Sequence, residues 1–321
     1  MVGYGPDGTL RVTAPALAWL GRLRPNQPFF AWVHLYDAHT PYSAPPPFGA
    51  RFRQQPYDGE VAYVDSEIAR LLAQLETMGV LEHTVVVAIA AHGESLGEHG
   101  EEDHGLFLYD AVLRIPWIVR LPGRQRAGTV VTEQVRAIDL MPTVLDALGV
   151  PVPARLDGES LLGVVRGKAR PNPPLSYAET WYPKLHFGWS ELRSARVGEW
   201  KLVDAPRSEL YDLRVDRTER ANVIERQANV AGRLGADLRQ VVDSFGSAPK
   251  PQGALPDPET MDRLRSLGYV GFVAAAATTA RGADPKDMAP RLHEYRTLMT
   301  GATEDVRNGR NAAAAEKRDL T

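Results

Sequence analysis

Ionisable side chains are concentrated between residues 92 and 104, directly after an apolar run. Three histidines and five carboxylates lie within these thirteen residues. They are His92, His99 and His104, together with Glu94, Glu98, Glu101, Glu102 and Asp103. Imidazole and carboxylate groups bind metal ions, transfer protons and, when imidazole is protonated, pair with anions. The segment therefore predicts a site for an anion or a metal ion, and the alternative is a solvated acidic loop.

The apolar run before this segment predicts a buried strand. Residues Val85 to Ala91 are apolar and largely β-branched, and polar residues bound them on both sides. Such runs are typical of strands that are covered on both faces of a parallel sheet. Open α/β sheets bind their ligands beyond the carboxyl ends of the strands. We therefore expect His92 and the residues after it to lie where binding or catalysis takes place.

Another histidine follows a second predicted strand. Pro28 to Leu35 is mostly apolar and aromatic, which predicts a buried strand, and the residues after it include His39. Prolines at positions 45–47 predict an extended loop beyond this point. From the residues alone, His39 is either an anion contact or a loop histidine bonded to the backbone.

A helix links the two predicted strands. Apolar residues at helical spacing predict a helix over residues 57–78, with Glu60 and Glu67 on its solvated side. Strand, crossover helix and strand form the unit from which parallel sheets are built. The sequence therefore predicts an α/β fold with a mostly parallel sheet flanked by helices.

Smaller elements are predicted after the acidic segment. Residues 113–119 and 135–138 predict two further strands, and residues 139–149 predict a helix. Later, alternating apolar and polar pieces are separated by Gly198-Glu199, which predicts a hairpin in a small antiparallel sheet. A helix over residues 228–245 is predicted to pack on this sheet.

Composition narrows the classes of partner and compartment. The chain has 321 residues, of which 44% are hydrophobic and 24% charged, and these values are typical of globular proteins. A net charge of −3 argues against non-specific nucleic-acid or anionic-membrane binding, because both require a basic face. The sequence contains no cysteine, no signal-peptide pattern and no apolar run long enough for a membrane span. Taken literally, this predicts a cytoplasmic chain, although a lost leader would predict export.

Several motifs carry a family resemblance. The strings HGESLGEHG, HGLFLYD and LRIPWIV after residue 91, with DAHTPY at residues 37–42 and LYDLRVDRTERANV at residues 210–223, resemble the sulfatase family of the alkaline phosphatase superfamily. The resemblance implies a partial alkaline-phosphatase-like sandwich with a small C-terminal antiparallel sheet and a helical tail. It also implies that the chain corresponds to the carboxy-terminal portion of such a protein. One position departs from the family pattern, since Ala91 replaces an aspartate that binds the metal ion.

The resemblance also assigns roles to three histidines. It implies that His39 and His104 contact the substrate anion in catalysis and that His92 is a metal ligand. The implied cofactor is a divalent cation, calcium by family, which requires six to eight oxygen ligands. The implied substrate is a sulfate- or phosphate-ester small molecule or a glycan. Ala91 offers no ligand, so binding of the cation by this chain is in doubt.

The family nucleophile is absent from this sequence. Sulfatases use a formylglycine made within a Cys/Ser-x-Pro-x-Arg motif, and no such motif occurs in the sequence. We therefore predict a sulfuric ester hydrolase by lineage that is impaired or inactive as this chain. The alternatives are a phosphomonoester or phosphodiester hydrolase of the same superfamily, and a non-catalytic anion-binding or partner-binding module. Activity completed by a second polypeptide, and a degenerate fragment that folds poorly, also stay open.

Two domains, a linker and a tail are predicted along the chain. Residues 1–165 form a sulfatase-like α/β domain, residues 166–250 a small antiparallel sheet with a helix, and residues 251–287 a linker. Residues 288–321 form a helical tail that resembles one degenerate tetratricopeptide unit. Stacked repeats need about three units to bury a continuous face. The tail is therefore predicted to be loosely helical and to offer a surface for a protein partner.

Overall fold

The computed structural model describes residues 12–25, 27–170, 172–246, 281–292, 294 and 298. These residues form two compact units. The first unit contains residues 12–88, 117–131 and 138–168, and the second contains residues 89–116, 132–137 and those from 169 onward. Within the part of the chain that the structure describes, no helix is both long enough and apolar enough to cross a membrane.

The first unit is mainly helical. Its helices are α1 (Thr13–Leu20), α2 (Phe48–Arg51), α3 (Pro56–Thr77), α5 (Leu140–Ala147) and α6 (Leu162–Val165). Helix α4 (Asp110–Leu113) belongs to the second unit. Strands β1 (Val86–Ile89) and β2 (Trp117–Arg120) form a two-stranded sheet. Short 3-10 turns lie at Leu81–His83, Pro122–Arg124 and Ala137–Asp139. The helix predicted over residues 139–149 is therefore confirmed as α5, and residues 135–138 form no strand.

Helix α3 confirms the helix predicted over residues 57–78, but its polar side is not solvated as predicted. Pro56 occupies the first turn, where its missing N–H leaves no hydrogen bond unmade. Glu60 and Glu67 are buried. Their carboxylates have partners in the fold, since Glu67 pairs with Arg70 at 2.7 Å and Glu60 accepts backbone hydrogen bonds. Polarity alone therefore misassigned these two positions.

The predicted strand over residues 28–35 is wrong. The segment has no regular secondary structure, and among the described residues it forms no backbone hydrogen bonds and joins no sheet. Phe30 and Trp32 are 80% and 85% exposed. A strand is buried only when neighbouring strands and helices cover it, and the described residues of the first unit form only a two-stranded sheet. Strand β1 is also shorter than the predicted run from Val85 to Ala91, and its residues are half-buried.

The second unit is built on a four-stranded antiparallel sheet. Strands β3 (Ser176–Thr180), β4 (Leu192–Val197), β5 (Trp200–Asp204) and β6 (Glu209–Asp212) pair in chain order. The predicted hairpin is confirmed, because Val197 pairs with Trp200 across Gly198-Glu199. Gly198 has a φ of +59°, a conformation that favours glycine. Helices α4 (Asp110–Leu113), α7 (Tyr182–Phe187) and α8 (Ala228–Gly246), and a 3-10 turn at Glu98–Gly100, complete the unit.

Two apolar clusters fill the second unit. Helix α8 confirms the helix predicted over residues 228–245, and its Leu234 and Leu238 pack with Ala195, Leu202 and Leu210 of the sheet. The other cluster contains the apolar residues of the HGLFLYD string. Its members are Leu106, Phe107, Leu108, Tyr109, Leu192, Ala205, Tyr211, Leu213, Ala289 and Leu292. The segment that follows the acidic loop is therefore part of the core of the second unit.

The predicted linker and tail fall largely outside the described residues. Residues 251–280, 293, 295–297 and 299–321 are not described, and the tetratricopeptide-like unit stays a prediction. Residues 285–292 are helical, and the residues just before them contact the small sheet. Arg281 pairs with Asp204 at 2.8 Å, and the Ser190 N–H donates to the Ala283 carbonyl at 3.0 Å.

Truncation of the most buried leucine of the sheet tests this description of the core. Leu210 is fully buried between the sheet and α8, so Leu210→Ala should lower the free energy of unfolding by about 2–5 kcal/mol. Val215 in the same unit is 77% exposed, so Val215→Ala should change it by less than about 0.5 kcal/mol. Urea denaturation followed by circular dichroism gives both values. Equal losses in the two variants would contradict the assigned core.

Candidate functional site

The loop after β1 is fixed by close backbone approaches. The Gly93 N–H donates to the Val112 carbonyl at 2.8 Å. A Cβ atom at position 93 would lie 2.3 Å from the Ala111 carbonyl oxygen, so only glycine fits there. Gly97 and Gly105 have φ values of +109° and +100°, which residues other than glycine rarely adopt. Glycine spacing thus sets the path of the loop that carries His92 and His104.

His92 and His104 lie together in the second unit. Their rings are stacked, with centroids 3.9 Å apart and an angle of 28° between the planes. His92 Nδ1 lies 2.8 Å from the Gly93 carbonyl oxygen, so Nδ1 carries the proton. His104 Nδ1 lies 3.3 Å from Glu94 Oε1 and donates to it. These hydrogen bonds orient both rings, and the structure therefore brings together two of the three predicted site histidines.

Glu94 is the residue that holds His104. Its side chain is 2% exposed, and its Oε2 atom has no hydrogen-bond partner among the described residues. The hydrogen bond from His104 to Glu94 raises the pKa of the imidazole above its ordinary value, and burial opposes this effect. The carboxylates of Asp103 and Glu101 add to the rise. The pair therefore favours a cationic imidazole at position 104, which is suited to an anion.

Other carboxylates of the segment shape the loop. Glu101 is buried and accepts hydrogen bonds from the N–H groups of Leu106 at 2.6 Å and Phe107 at 3.3 Å. Glu98 Oε2 accepts from the Leu96 N–H at 2.6 Å. Burial raises the pKa of Glu101 to about 7. The predicted cluster is therefore divided, because these two carboxylates bind the backbone of their own loop.

His99 has a structural partner rather than a place beside His92. Its Nε2 atom lies 3.0 Å from the Thr218 carbonyl oxygen, and its ring stacks on Tyr109 with centroids 3.6 Å apart. Burial lowers the pKa of the imidazole. The ring thus connects the acidic loop to the segment after β6.

His39 belongs to the first unit, where a buried carboxylate shapes its loop. Glu60 on α3 accepts hydrogen bonds from the N–H groups of His39 at 2.9 Å and Ser43 at 2.5 Å. The His39 Nδ1 atom lies 2.7 Å from the Thr40 carbonyl oxygen, and its ring lies against Tyr36 with centroids 4.6 Å apart. Sequence reasoning missed this role of Glu60, which it placed on the solvated side of the helix. The catalytic role of His39 stays a prediction.

The donor set does not fit the cation that the family resemblance implies. Within the described ranges, no group of three histidine, aspartate or glutamate residues is placed to hold a metal ion. Ala91 has no ligand atom, and Glu94 is hydrogen-bonded to His104. One imidazole nitrogen and one carboxylate are far short of the six to eight oxygens that calcium takes. His92 alone therefore makes no calcium site.

A buried charge cluster fixes the acidic loop and its HGLFLYD segment to the small sheet. Lys201 on β5 and Glu219 have side chains only 1% exposed. The Lys201 Nζ atom donates to Asp110 Oδ1 at 2.8 Å and makes an ion-pair contact with Glu219 Oε1 at 2.7 Å. The Asp110 N–H donates to Glu219 Oε2, and Arg196 lies 3.4 Å from Asp110 Oδ2. Two cations and two carboxylates are thus paired around Asp110, at the end of the HGLFLYD segment.

Comparison with known proteins supports the sulfatase resemblance. Residues 8–150 match the sulfatase family model, and residues 97–244 match the model for the C-terminal region of N-sulphoglucosamine sulphohydrolase. An N-acetylglucosamine-6-O-sulfatase from Bacteroides thetaiotaomicron is 33% identical over 180 residues, which are 52% of this chain and 31% of that protein. A steryl-sulfatase from Mus musculus is 31% identical over 176 residues, which are 50% of this chain and 28% of that protein. The chain thus spans about a third of the length of these curated relatives.

Solved structures support the predicted fold class. One protein, solved in complex with its substrate D-glucosamine-2-N,6-O-disulfate, aligns with a TM-score of 0.53 and 28% identity over 63% of this chain and 44% of that chain. A phosphonate monoester hydrolase from Silicibacter pomeroyi aligns with a TM-score of 0.58 and 23% identity over 76% of this chain and 64% of that chain. The α/β, alkaline-phosphatase-like class is confirmed by these likenesses and by the small antiparallel sheet.

The buried Glu101 predicts a pH dependence of stability. The pKa of Glu101 in the folded protein is about 7, above the ordinary 4.5, so between these two pH values the folded form keeps a proton that the unfolded chain has released. This contribution is complete below pH 4.5 and is lost as the pH rises through 7, by up to about 3 kcal/mol. Glu101→Gln, which does not titrate, should therefore flatten this part of the pH profile. Urea denaturation at pH 5 and pH 8 measures the free energy of unfolding of the native chain and of Glu101→Gln. An equal change between the two pH values in both proteins would contradict the prediction.

The buried cluster predicts a large effect of removing its lysine. Lys201→Met leaves the buried Glu219 without its cation and leaves Asp110 with Arg196 alone, and should lower the free energy of unfolding by about 3–5 kcal/mol. The control is Arg207→Met, which breaks an exposed ion pair with Asp287 and should leave stability nearly unchanged. Thermal and urea unfolding compare the two. A lysine variant as stable as the control would show that the cluster does not stabilise the fold.

Proposed function

Because residues 8–150 match the sulfatase family model and residues 97–244 match the model for the C-terminal region of N-sulphoglucosamine sulphohydrolase, we propose that this chain belongs to the sulfatase family and binds the anion of a sulfate ester, as part of a sulfuric ester hydrolase by lineage. Sulfate is the group named in the curated relatives, which include an N-acetylglucosamine-6-O-sulfatase and a steryl-sulfatase. These proteins differ in the rest of their named substrates. The proposed ligand is therefore defined by the sulfate ester group that these relatives share in name.

The observation that carries this proposal is the stacked histidine pair with its buried carboxylate. Glu94 favours the cationic form of His104, and a cationic N–H donor makes stronger hydrogen bonds to an anion than a neutral one does. The Gly93 carbonyl fixes His92 with its proton on Nδ1. A cationic imidazole oriented by a buried carboxylate supports binding of a tetrahedral oxyanion.

We further propose that this chain alone binds the ester without hydrolysing it. Sulfate transfer requires an activated nucleophile and a cation that polarises the ester oxygens. No Cys/Ser-x-Pro-x-Arg motif occurs in the sequence, and the described donors do not fit calcium. The histidines of the loop stabilise negative charge on the substrate but provide neither of these parts. Both could come from additional sulfatase-type polypeptide.

Titration calorimetry and an activity assay on the purified chain test this proposal. We expect the chain to bind 4-nitrophenyl sulfate and to release no nitrophenolate with added calcium or manganese. His104→Ala should weaken binding by about tenfold or more, the usual effect of losing a charged hydrogen bond. The control is His83→Ala, which removes an exposed histidine of the first unit and should not change the affinity.

Three results would contradict parts of the proposal. Absence of binding, or equal binding by His104→Ala, would remove the anion site. Release of nitrophenolate that His104→Ala abolishes would show that the chain is an active hydrolase. Preferential binding of 4-nitrophenyl phosphate would favour the phosphoester alternative. The likeness to the phosphonate monoester hydrolase concerns the fold alone and does not support that alternative.

A further inference from the structure

We propose that Tyr182 and His186 on α7 contact the ring of the substrate's leaving group, next to the anion held by His104. This inference rests on the proposed function, since it assigns the neighbouring part of the same ligand. The predicted substrate class is a sulfate monoester whose sulfate is attached to an aromatic or sugar ring.

The first observation is the position of Tyr182 against the loop of His104. Gly105 follows His104, and a Cβ atom built on Gly105 would lie 3.8 Å from the Tyr182 ring and 4.0 Å from its Cβ. The Thr180 hydroxyl donates to the Gly105 carbonyl at 2.5 Å and accepts from the Tyr182 N–H at 3.3 Å. These contacts lie within the second unit. The Thr180 hydroxyl therefore links the start of α7 to Gly105, the residue after His104.

The second observation is the stacked pair itself. The rings of Tyr182 and His186 are 4.2 Å apart with an angle of 30° between their planes. Tyr182 is half-buried and is held by its neighbours, whereas His186 is exposed and accessible to a ligand. Stacked aromatic rings offer a flat surface on which another ring packs with little loss of side-chain freedom. The arrangement fits a ring-shaped group better than a flexible chain.

Other aromatic side chains of this region are engaged elsewhere. Phe187 and Trp189 stack on each other and pack against the core cluster of the HGLFLYD segment. Trp200 packs against the cluster beneath α8. The Trp181 ring is covered by the Lys184 amine at 5.1 Å and the Arg193 guanidinium at 5.5 Å. Tyr182 thus lies against Gly105 of the His104 loop, and His186 stacks on Tyr182.

The test measures how much a ring adds to the affinity for sulfate. Methyl sulfate carries the anion without a ring, and 4-nitrophenyl sulfate carries both. We expect the native chain to bind the aryl ester more tightly, and His186→Ala and Tyr182→Ala to reduce that preference by about two- to tenfold. Their affinity for methyl sulfate should stay unchanged. Tyr182→Phe keeps the ring and should keep the preference.

A control variant and the affinities for the two esters distinguish failure of this inference from failure of the proposed anion site. Phe245→Ala removes an exposed aromatic side chain that contacts Tyr177 at the far end of α8, and should alter neither affinity. An unchanged preference in both alanine variants would overturn the inference, as would an equal loss for both ligands. Failure of the native chain to bind methyl sulfate, or binding that is insensitive to His104→Ala, would overturn the proposed anion site and this inference with it. Thermal unfolding confirms that each variant is folded.

Discussion

The ion-pair cluster around Lys201 is the constraint on which the rest of the second unit depends. A lysine in the middle of a buried strand is unfavourable unless its charge is paired, and Asp110 and Glu219 provide that pairing. The Asp110 N–H also donates to Glu219, across a separation of 109 residues. Asp110 ends the HGLFLYD segment, and Glu219 lies in the LYDLRVDRTERANV motif. Two motifs that are far apart in sequence are therefore parts of one electrostatic contact.

Carboxylates near the loops of His39 and His104 have two different roles. Glu60 and Glu101 accept backbone N–H groups and so hold the loops of His39 and His104, each within its own unit. Glu94 instead accepts from an imidazole and changes its charge. In the acidic loop, Glu98 and Glu101 bind backbone N–H groups, and Glu94 binds the imidazole of His104. An acidic loop is therefore compatible with a site for an anion, because these three carboxylates are bound within the loop itself.

The sequence predicts elements well where the pattern depends on local spacing. Helices α3 and α8 follow from apolar periodicity, and the β4–β5 hairpin follows from Gly198 between alternating pieces. The stacking of His92 on His104 follows in part from glycines that bring the loop back on itself. Burial of polar residues could not be read, because Glu60 and Lys201 look like surface residues until their partners are known. The strand predicted over residues 28–35 failed for the opposite reason, since its burial requires neighbours that this first unit does not provide.

The exposed stretch over residues 28–35 has a consequence for handling the protein. Its backbone makes no strand pairing among the described residues, and Phe30 and Trp32 are largely exposed to solvent. Unpaired backbone groups are a template for pairing with another chain, and aromatic side chains strengthen that association. Aggregation would then begin from the native fold and rise with concentration, without any prior unfolding. Dilution should preserve the protein in storage more effectively than cooling does.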